Sequence, residues 1–367
     1  MMNVIKPQRK TGVVSRLTNT VFKYAGWPSV CKDDRGVLYC VASAMRIQHV
    51  DPAGKNCMWL SFNEGETWTC PIVVNDSYLD DRDAGIVSLG GGKLVMSFFS
   101  ERDYEDCARF ADYEWLKEPD KQMILGMGKV VPLIEEEKRV PGNFIKVSDD
   151  YGVTWSENIL VPMTAPHGPN VSTDGCPIYL GRIGSDDAEN ADRIGFYHSA
   201  DGGYTWTLRG IVPIPDDANT DMMHEPHVVE LPGGRLLGAI RVHNRPVYPE
   251  FTVYTTFSDD GGYTWSMPQC TGFDGSPPHL MVHSSGAVIL SYSCRNGDKR
   301  SERAAVSYDG GETWTEDYEL NADIPYSDLG YPATVELSDG SLLTVYYQCR
   351  PLDDWTSVLY TKWKLNK

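Results

Sequence analysis

Five copies of one eight-residue motif recur along this chain and restrict its architecture more than any other feature. They are Ser61–Trp68 (SFNEGETW), Ser148–Trp155 (SDDYGVTW), Ser199–Trp206 (SADGGYTW), Ser258–Trp265 (SDDGGYTW) and Ser307–Trp314 (SYDGGETW). The shared pattern is S-x-D-x-G-x-T-W, with Asn63 in place of the Asp in the first copy. The Asp carboxylate can accept from the N–H groups of its own turn, the Gly can take positive φ, and the Trp is a large apolar wedge. This is a β-hairpin turn built five times, and repetition at a period near 50 residues indicates radial β repetition.

A second repeat lies between the motifs: an apolar run, a Gly-containing turn and another apolar run. Six such hairpins begin at Trp27, Asp83, Asp174, Glu225, Pro277 and Tyr331. Composition and turn chemistry mark each as a pair of strands. The chain therefore reads as all-β: a six-bladed β-propeller spanning residues 1–367 as one domain. A strand from Val13 to Phe22 would close the ring against the last blade. A charged, partly helical stretch from Glu101 to Gly142 interrupts blade 2. It is too long for a hairpin loop and reads as a solvated insertion, a lid or an oligomer contact.

The formal net charge is −18. That argues against nucleic acid and anionic membrane partners, both of which select basic surfaces. No run of 18 apolar residues is present, and the first residues lack the apolar core of a secretory signal. Nine cysteines without paired spacing suit a reducing cytoplasm. No metal-ligand motif or phosphate-binding loop stands out, so neither metal nor cofactor is expected.

In five of the six inner hairpins, the strand start lies nine residues before a turn glycine: Gly36, Gly92, Gly234, Gly286 and Gly340. Asp174 is assigned to the third repeat, which lacks a glycine at that offset in this alignment. The strand starts should project into one mouth of the axial channel, where pockets commonly form. Three carboxylates and a phenol then face one axis. Arg46, Arg102, Arg241, Arg295 and Arg350 end or follow the second strands and should lie near the same mouth, with Arg245, Arg300 and Arg303 close by. Arginine forks suit carboxylate recognition. His49, His224 and His227 flank these positions and read as groups that orient neighbours or bind sugar hydroxyls.

The five motifs, the six blades and the order Glu225, Arg241, Tyr331 resemble the sialidase (neuraminidase) superfamily over roughly residues 24 to 363. Glu225 opens a strand and Arg241 follows sixteen residues later, as in sialidases. Gly330–Gly340 matches the pattern around the sialidase nucleophile, with Pro332 replacing a Ser. Asp51-Pro52-Ala53-Gly54 resembles the stretch that carries the acid/base. The resemblance implies Tyr331 as nucleophile, Glu225 as its base and Asp51 as acid/base. Asp83, in a stretch unlike the family pattern that opens blade 2, is the second acid/base candidate. It implies a glycan substrate with a terminal acidic sugar, sialic acid or a related 2-keto acid, released with retention by exo-action. Its substrate-binding set would be Arg241, Arg295 or Arg300, Asp174, Trp27 and His224. The chain departs from the family at Gly26-Trp27-Pro28, where sialidases carry their first clamp arginine. Arg46 and Arg82 are the cations placed to compensate. Two other readings stay open: a propeller glycosidase acting on arabinose-type or uronic sugars with Glu225 paired to Asp83 or Asp174, and a glycan-binding propeller without catalysis.

Overall fold

The computed structural model describes residues 3–52, 54–322 and 324–366. Six antiparallel sheets follow one another along the chain and build a six-bladed β-propeller. Blade 1 runs from Tyr24–Lys32 to Ile72–Asn75, blade 2 from Asp80–Gly90 to Ile159–Val161, and blade 3 from Met163–Thr164 and Asn170–Val171 to Thr207–Ile211. Blade 4 runs from Met223–Glu230 to Gln269–Cys270, and blade 5 from His279–Val282 to Glu316–Asn321. Blade 6 has three strands from the C-terminal region, and Arg9–Ser15 adds the fourth by pairing antiparallel with Thr356–Trp363. The closing strand thus starts and ends earlier than the expected Val13–Phe22. Just before it, Asn3–Ile5 lies parallel to Glu316–Asn321, so one N-terminal segment ties blade 5 to blade 6.

The repeated motif works as a hinge-like seam. In the fourth copy, Gly262 N–H donates to Ser258 Oγ at 2.9 Å and Ser258 Oγ donates to Asp260 Oδ1 at 2.9 Å. Asp260 also accepts from Thr264 N at 2.9 Å and from Thr264 Oγ1 at 2.6 Å. The same set recurs around Asp150, Asp201 and Asp309. In the first copy the polarity of one bond reverses: Asn63 Nδ2 donates to Thr67 Oγ1 at 2.9 Å. Each motif glycine has positive φ and also touches the preceding blade. A Cβ on Gly262 would lie 2.1 Å from Phe196 of blade 3, and one on Gly311 would lie 2.6 Å from Leu237 of blade 4. The motif tryptophans join the apolar clusters at the same seams, Trp265 with Phe196 and Leu180, Trp314 with Leu237 and Phe273. Blade 6 has no such motif. There Trp363 is buried, with its ring 4.9 Å from that of Tyr318 in blade 5.

The insertion after Glu101 folds into two helices, Cys107–Ala111 and Glu118–Val130. Phe110, Leu116 and Ile124 form a small core with Ile47 of blade 1 and Leu79 at the entry to blade 2. Lys117 reaches Asp354 of blade 6 at 2.9 Å. The insertion is therefore packed onto the propeller rim across blades 2, 1 and 6, in place of the solvated loop that is one reading of its composition.

The N-terminal closure gives a stability prediction. Removing residues 1–15 leaves an unpaired edge along Thr356–Trp363 and drops the parallel strand on blade 5. Thermal unfolding should shift down by about 2–3 °C, as for a loss of roughly 2 kcal/mol in a chain of this size. An unchanged midpoint would show that the other five seams carry the ring alone.

Candidate active site

Four of the inner strands begin with the same irregularity. Trp27, Asp83, Glu225 and Tyr331 have φ of 53°, 54°, 46° and 55°. In each blade the pairing register shifts there, between Gly26 and Ser29, Arg82 and Gly85, His224 and His227, and Gly330 and Ala333. Positive φ is uncommon for residues with a Cβ and costs of the order of 1–3 kcal/mol, so four equivalent instances mark a bulge that the fold uses to aim side chains.

Blade 3 differs. Its inner turn closes at Gly175, whose N–H donates to Ser172 O just as Gly234 N–H donates to Leu231 O in blade 4. The residue nine positions before Gly175 is Pro166. Asp174 therefore lies on the exposed turn at the far end of the inner hairpin, away from the mouth. The two-residue strand Asn170–Val171 carries too little pattern to have fixed this alignment from sequence.

At the mouth, Tyr331 Oη donates to Glu225 Oε1 at 2.6 Å. Arg241 Nη1 donates to Glu225 Oε2 at 2.5 Å and lies 3.5 Å from Tyr331 Oη. Burial pushes the Glu225 carboxyl up, but the Arg241 charge and the hydrogen bonds from Tyr331 and Arg241 outweigh it and hold the pKa below the ordinary value. The phenol of Tyr331 is pushed well above its ordinary range by burial, then by the charges of Glu225 and Asp83. Arg295 sits 5.5 Å from the centre of the Tyr331 ring, and its buried Nε and Nη2 have no hydrogen-bond partner among the described residues. Two cations thus flank the phenol, one engaged and one with buried donors to offer.

Asp83 and Glu225 line one cleft of about 250 Å³, together with Phe99, Asn143, Arg182 and His224. Burial, then the Glu225 charge, raises the Asp83 carboxyl to about 7. Asp83 is thus a proton donor at neutral pH, beside a carboxylate that is ionised. His224 Nε2 donates to Asp221 O at 2.7 Å and its ring centre lies 4.3 Å from that of His243, the planes tilted by 45°. Arg182 is a cleft residue that the sequence reading missed. It stands seven residues after Gly175, as Arg241 stands seven after Gly234, so the correct blade-3 glycine would have exposed it.

The structure does not bring the other candidates to the cleft. Asp51 is fully buried beside the insertion, with Oδ2 accepting from Ile47 N at 2.7 Å. Ala53 of that stretch lies outside the described residues. Arg46 is fully buried and bonds both carboxylate oxygens of Asp80, as well as Ser43 Oγ at 2.8 Å and His49 O at 2.8 Å. Arg82 is shared between Asp80 at 3.1 Å and Asp103 at 2.6 Å. Both Nη groups of Arg46 are thus engaged, and Arg82 is held between two acids. Arg300 Nε donates to Ile324 O at 3.1 Å, and Arg303 pairs with Asp317. Trp27, next to Gly26 where the resemblance expected the first arginine, is buried among Tyr24, Tyr331 and Tyr347. Next to it, the Asp328 carboxylate accepts from Tyr24 Oη and Tyr347 Oη, each at 2.9 Å, and lies 3.1 Å from His49 Nδ1. The blade 6–1 side of the mouth is aromatic and acidic where the blade 4–5 side is cationic.

Below the mouth, His167, His227 and His279 converge on the axis with ring centres 4.5–6.0 Å apart. All three are buried, and burial depresses their pKa values, with neighbouring imidazoles adding to the effect on His167 and His279. They form a neutral floor beneath Tyr331.

The chain belongs to the BNR repeat-like domain family, whose model matches residues 117–344. No curated protein matches it. Among solved structures it is similar to a protein of unknown function from Dyadobacter fermentans, with a TM-score of 0.76 at 20% identity, covering 98% of this chain and 100% of that one. It is similar to the intramolecular trans-sialidase of Ruminococcus gnavus, solved with oseltamivir carboxylate (TM-score 0.63, 15% identity, 94% and 95% covered). It is also similar to the α-L-arabinofuranosidase Arb93A of Fusarium graminearum, solved with an iminosugar inhibitor (TM-score 0.62, 13% identity, 98% of each chain). The fold is that of the sialidase-type propeller, and its glycosidase neighbours include enzymes of more than one sugar class.

The raised Asp83 pKa has a stability consequence with a definite sign. Between an unfolded pKa near about 3.9 and the folded value of about 7, the folded state holds more protons than the unfolded one. The contribution of this group to stability therefore falls as pH rises through that window. Asp83→Asn should raise the unfolding midpoint at pH 8 relative to the parent and have little effect at pH 4. The same increment at both values would place the strain elsewhere.

Proposed function

We propose that this protein is an exo-acting glycoside hydrolase of sialidase type that removes a terminal acidic sugar with retention, through a tyrosyl intermediate on Tyr331. The observation that carries the reading is the 2.6 Å hydrogen bond from Tyr331 Oη to a Glu225 carboxylate that Arg241 keeps ionised. Free tyrosine is a weak nucleophile at neutral pH, and this one is harder still to ionise. Its proton must leave as the bond forms, and Glu225 is within reach to take it. In the first step Tyr331 Oη attacks the anomeric carbon, its proton passes to Glu225, and Asp83 protonates the departing glycosidic oxygen. In the second, Asp83 takes a proton from water, the water oxygen attacks the anomeric carbon, and Tyr331 leaves and recovers its proton from Glu225. Arg295, with unengaged donors, and Arg241 bind the substrate carboxylate. An uncharged phenol does not repel that group, as a carboxylate nucleophile would.

A second reading is favoured by the cleft itself. Asp83 and Glu225 share it, and their pKa values are pushed in opposite directions, the signature of an acid/base pair. On a neutral furanose or a uronic acid these two carboxylates would do the chemistry, and Tyr331 would hydrogen-bond only.

A panel of aryl glycosides separates the two: sialic acid, a shorter 2-keto-deoxy acid sugar, a uronic acid and arabinofuranose. Turnover of a keto-acid sugar that is lost in Tyr331→Phe, with binding retained, supports the tyrosyl route. Turnover of neutral sugars that survives Tyr331→Phe transfers the chemistry to Asp83 and Glu225. In either case kcat/KM should fall as pH rises through about 7, because the donor form of Asp83 is lost. Arg241→Ala should weaken binding of the acidic substrate by roughly 2–5 kcal/mol, since one member of a buried charge pair is removed. An equal loss with a neutral analogue would argue against a carboxylate clamp.

A further inference from the structure

Asp174, displaced from the mouth, sits in another constellation. The turn from Ser172 to Cys176 joins the two-residue strand Asn170–Val171 to Pro177–Ile183, with only Asn170 opposite Ile178 and Val171 opposite Pro177. Asp174 Oδ1 accepts from Ser172 Oγ at 2.5 Å and from Cys176 N at 3.0 Å, which fixes the carboxylate on the turn. His198 ends the neighbouring strand, opposite Ile178. A carboxylate oxygen of Asp174, Sγ of Cys176 and a ring nitrogen of His198 all lie within 4.8 Å of one another. Carboxylate, thiolate and imidazole together are the donor set of a borderline-soft divalent cation. Three protein ligands and one water complete a tetrahedron with bonds of about 2.0–2.3 Å, which requires only a modest inward closure of the three side chains.

We propose that Asp174, Cys176 and His198 form a site for a zinc-like divalent cation that clamps the inner turn of blade 3 to its third strand. The clamp supplies a cross-strand tie at the turn end of an inner ladder that is split into two short pieces, Met163–Thr164 and Asn170–Val171. Binding breaks the Cys176 S–H bond, forms a metal–sulfur bond and releases the proton to solvent. Metal binding at such a thiol is therefore coupled to proton release. The site is independent of the catalytic reading, because its residues sit at the far end of the inner hairpin.

The test uses the full-length protein, stripped with a chelator and titrated with Co²⁺ in the absence of oxygen. The expected result is one equivalent bound with a near-ultraviolet thiolate-to-cobalt charge-transfer band. The band should vanish in Cys176→Ser and persist in Cys70→Ser and Cys270→Ser, which remove exposed thiols elsewhere. His198→Ala should weaken binding at least about tenfold, and Zn²⁺ should raise the unfolding midpoint of the parent but not of Cys176→Ser. A missing band in the parent overturns the proposal. So does a band that survives Cys176→Ser, which would assign the metal to another thiol. Because these residues are wholly or partly exposed at the surface, the variants should fold, and a parent-like circular dichroism spectrum for each confirms that a lost band reports the ligand.

Discussion

The contact that everything else in this molecule relies on is the seam between one blade and the next. A four-stranded blade has two apolar faces, and neither is covered until both neighbours are in place. The seam is made where a motif glycine lies against the preceding blade, so closely that a Cβ on Gly262 would meet Phe196 at 2.1 Å. The tryptophan three residues further on fills the space beside that contact. The Ser–Asp–Thr hydrogen bonds hold the turn in the one shape that lets the glycine approach. They are local, repeated and remote from the mouth, which is why a residue pattern so prominent in the sequence has no part in the chemistry. The sixth seam lacks the motif and is closed by Trp363 and by the strand Arg9–Ser15.

With the ring fixed, the axis becomes rigid enough to tolerate strain. Four inner strands enter the ring through a residue with positive φ, and the side chains so aimed are Trp27, Asp83, Glu225 and Tyr331. The other two blades carry Pro166 and Pro277 at the same offset from the turn glycine. One backbone device, used four times, thus sets an aromatic, two carboxylates and a phenol around a single mouth.

This device was legible in the chain because its turn end is marked by glycine, and a fixed offset of nine residues carries the mark to the strand start. It failed where the mark was ambiguous. In blade 3 the glycine that counts is Gly175, while Gly181 and Gly184 lie in and just after the next strand, and the inner strand is too short to arbitrate. Pro166 and Arg182 were hidden by that one choice. The arginines failed for a different reason. Arg46 and Arg241 both stand on second strands, Arg46 ten residues after Gly36 and opposite Tyr24, Arg241 seven residues after Gly234 and opposite His224. They differ also in partner. Asp80 of blade 2 reaches back to bury Arg46, whereas Arg241 is left to Glu225 across its own bulge. A partner supplied from the neighbouring blade leaves no trace in local spacing. The burial of Asp51 likewise follows from the way the insertion packs on the rim, which its charge pattern did not show.

The same network explains how two carboxylates in one cleft come to differ. Glu225 has an arginine in contact, and the attraction outweighs the cost of burial. Asp83 lies near Arg46 and Arg82, but the Asp80 carboxylate pairs with both, so less positive field remains to offset desolvation and the Glu225 charge. The buried Arg46–Asp80–Arg82–Asp103 cluster is therefore more than scaffolding. By spending its cations on its own acids it leaves Asp83 protonated near neutrality. A free arginine at the Trp27 position would add a further cation to the blade 6–1 side of the mouth and favour ionisation of Asp83. Placing an aromatic residue there keeps the positive charge on blades 4 and 5, where it holds Glu225 ionised and faces the phenol.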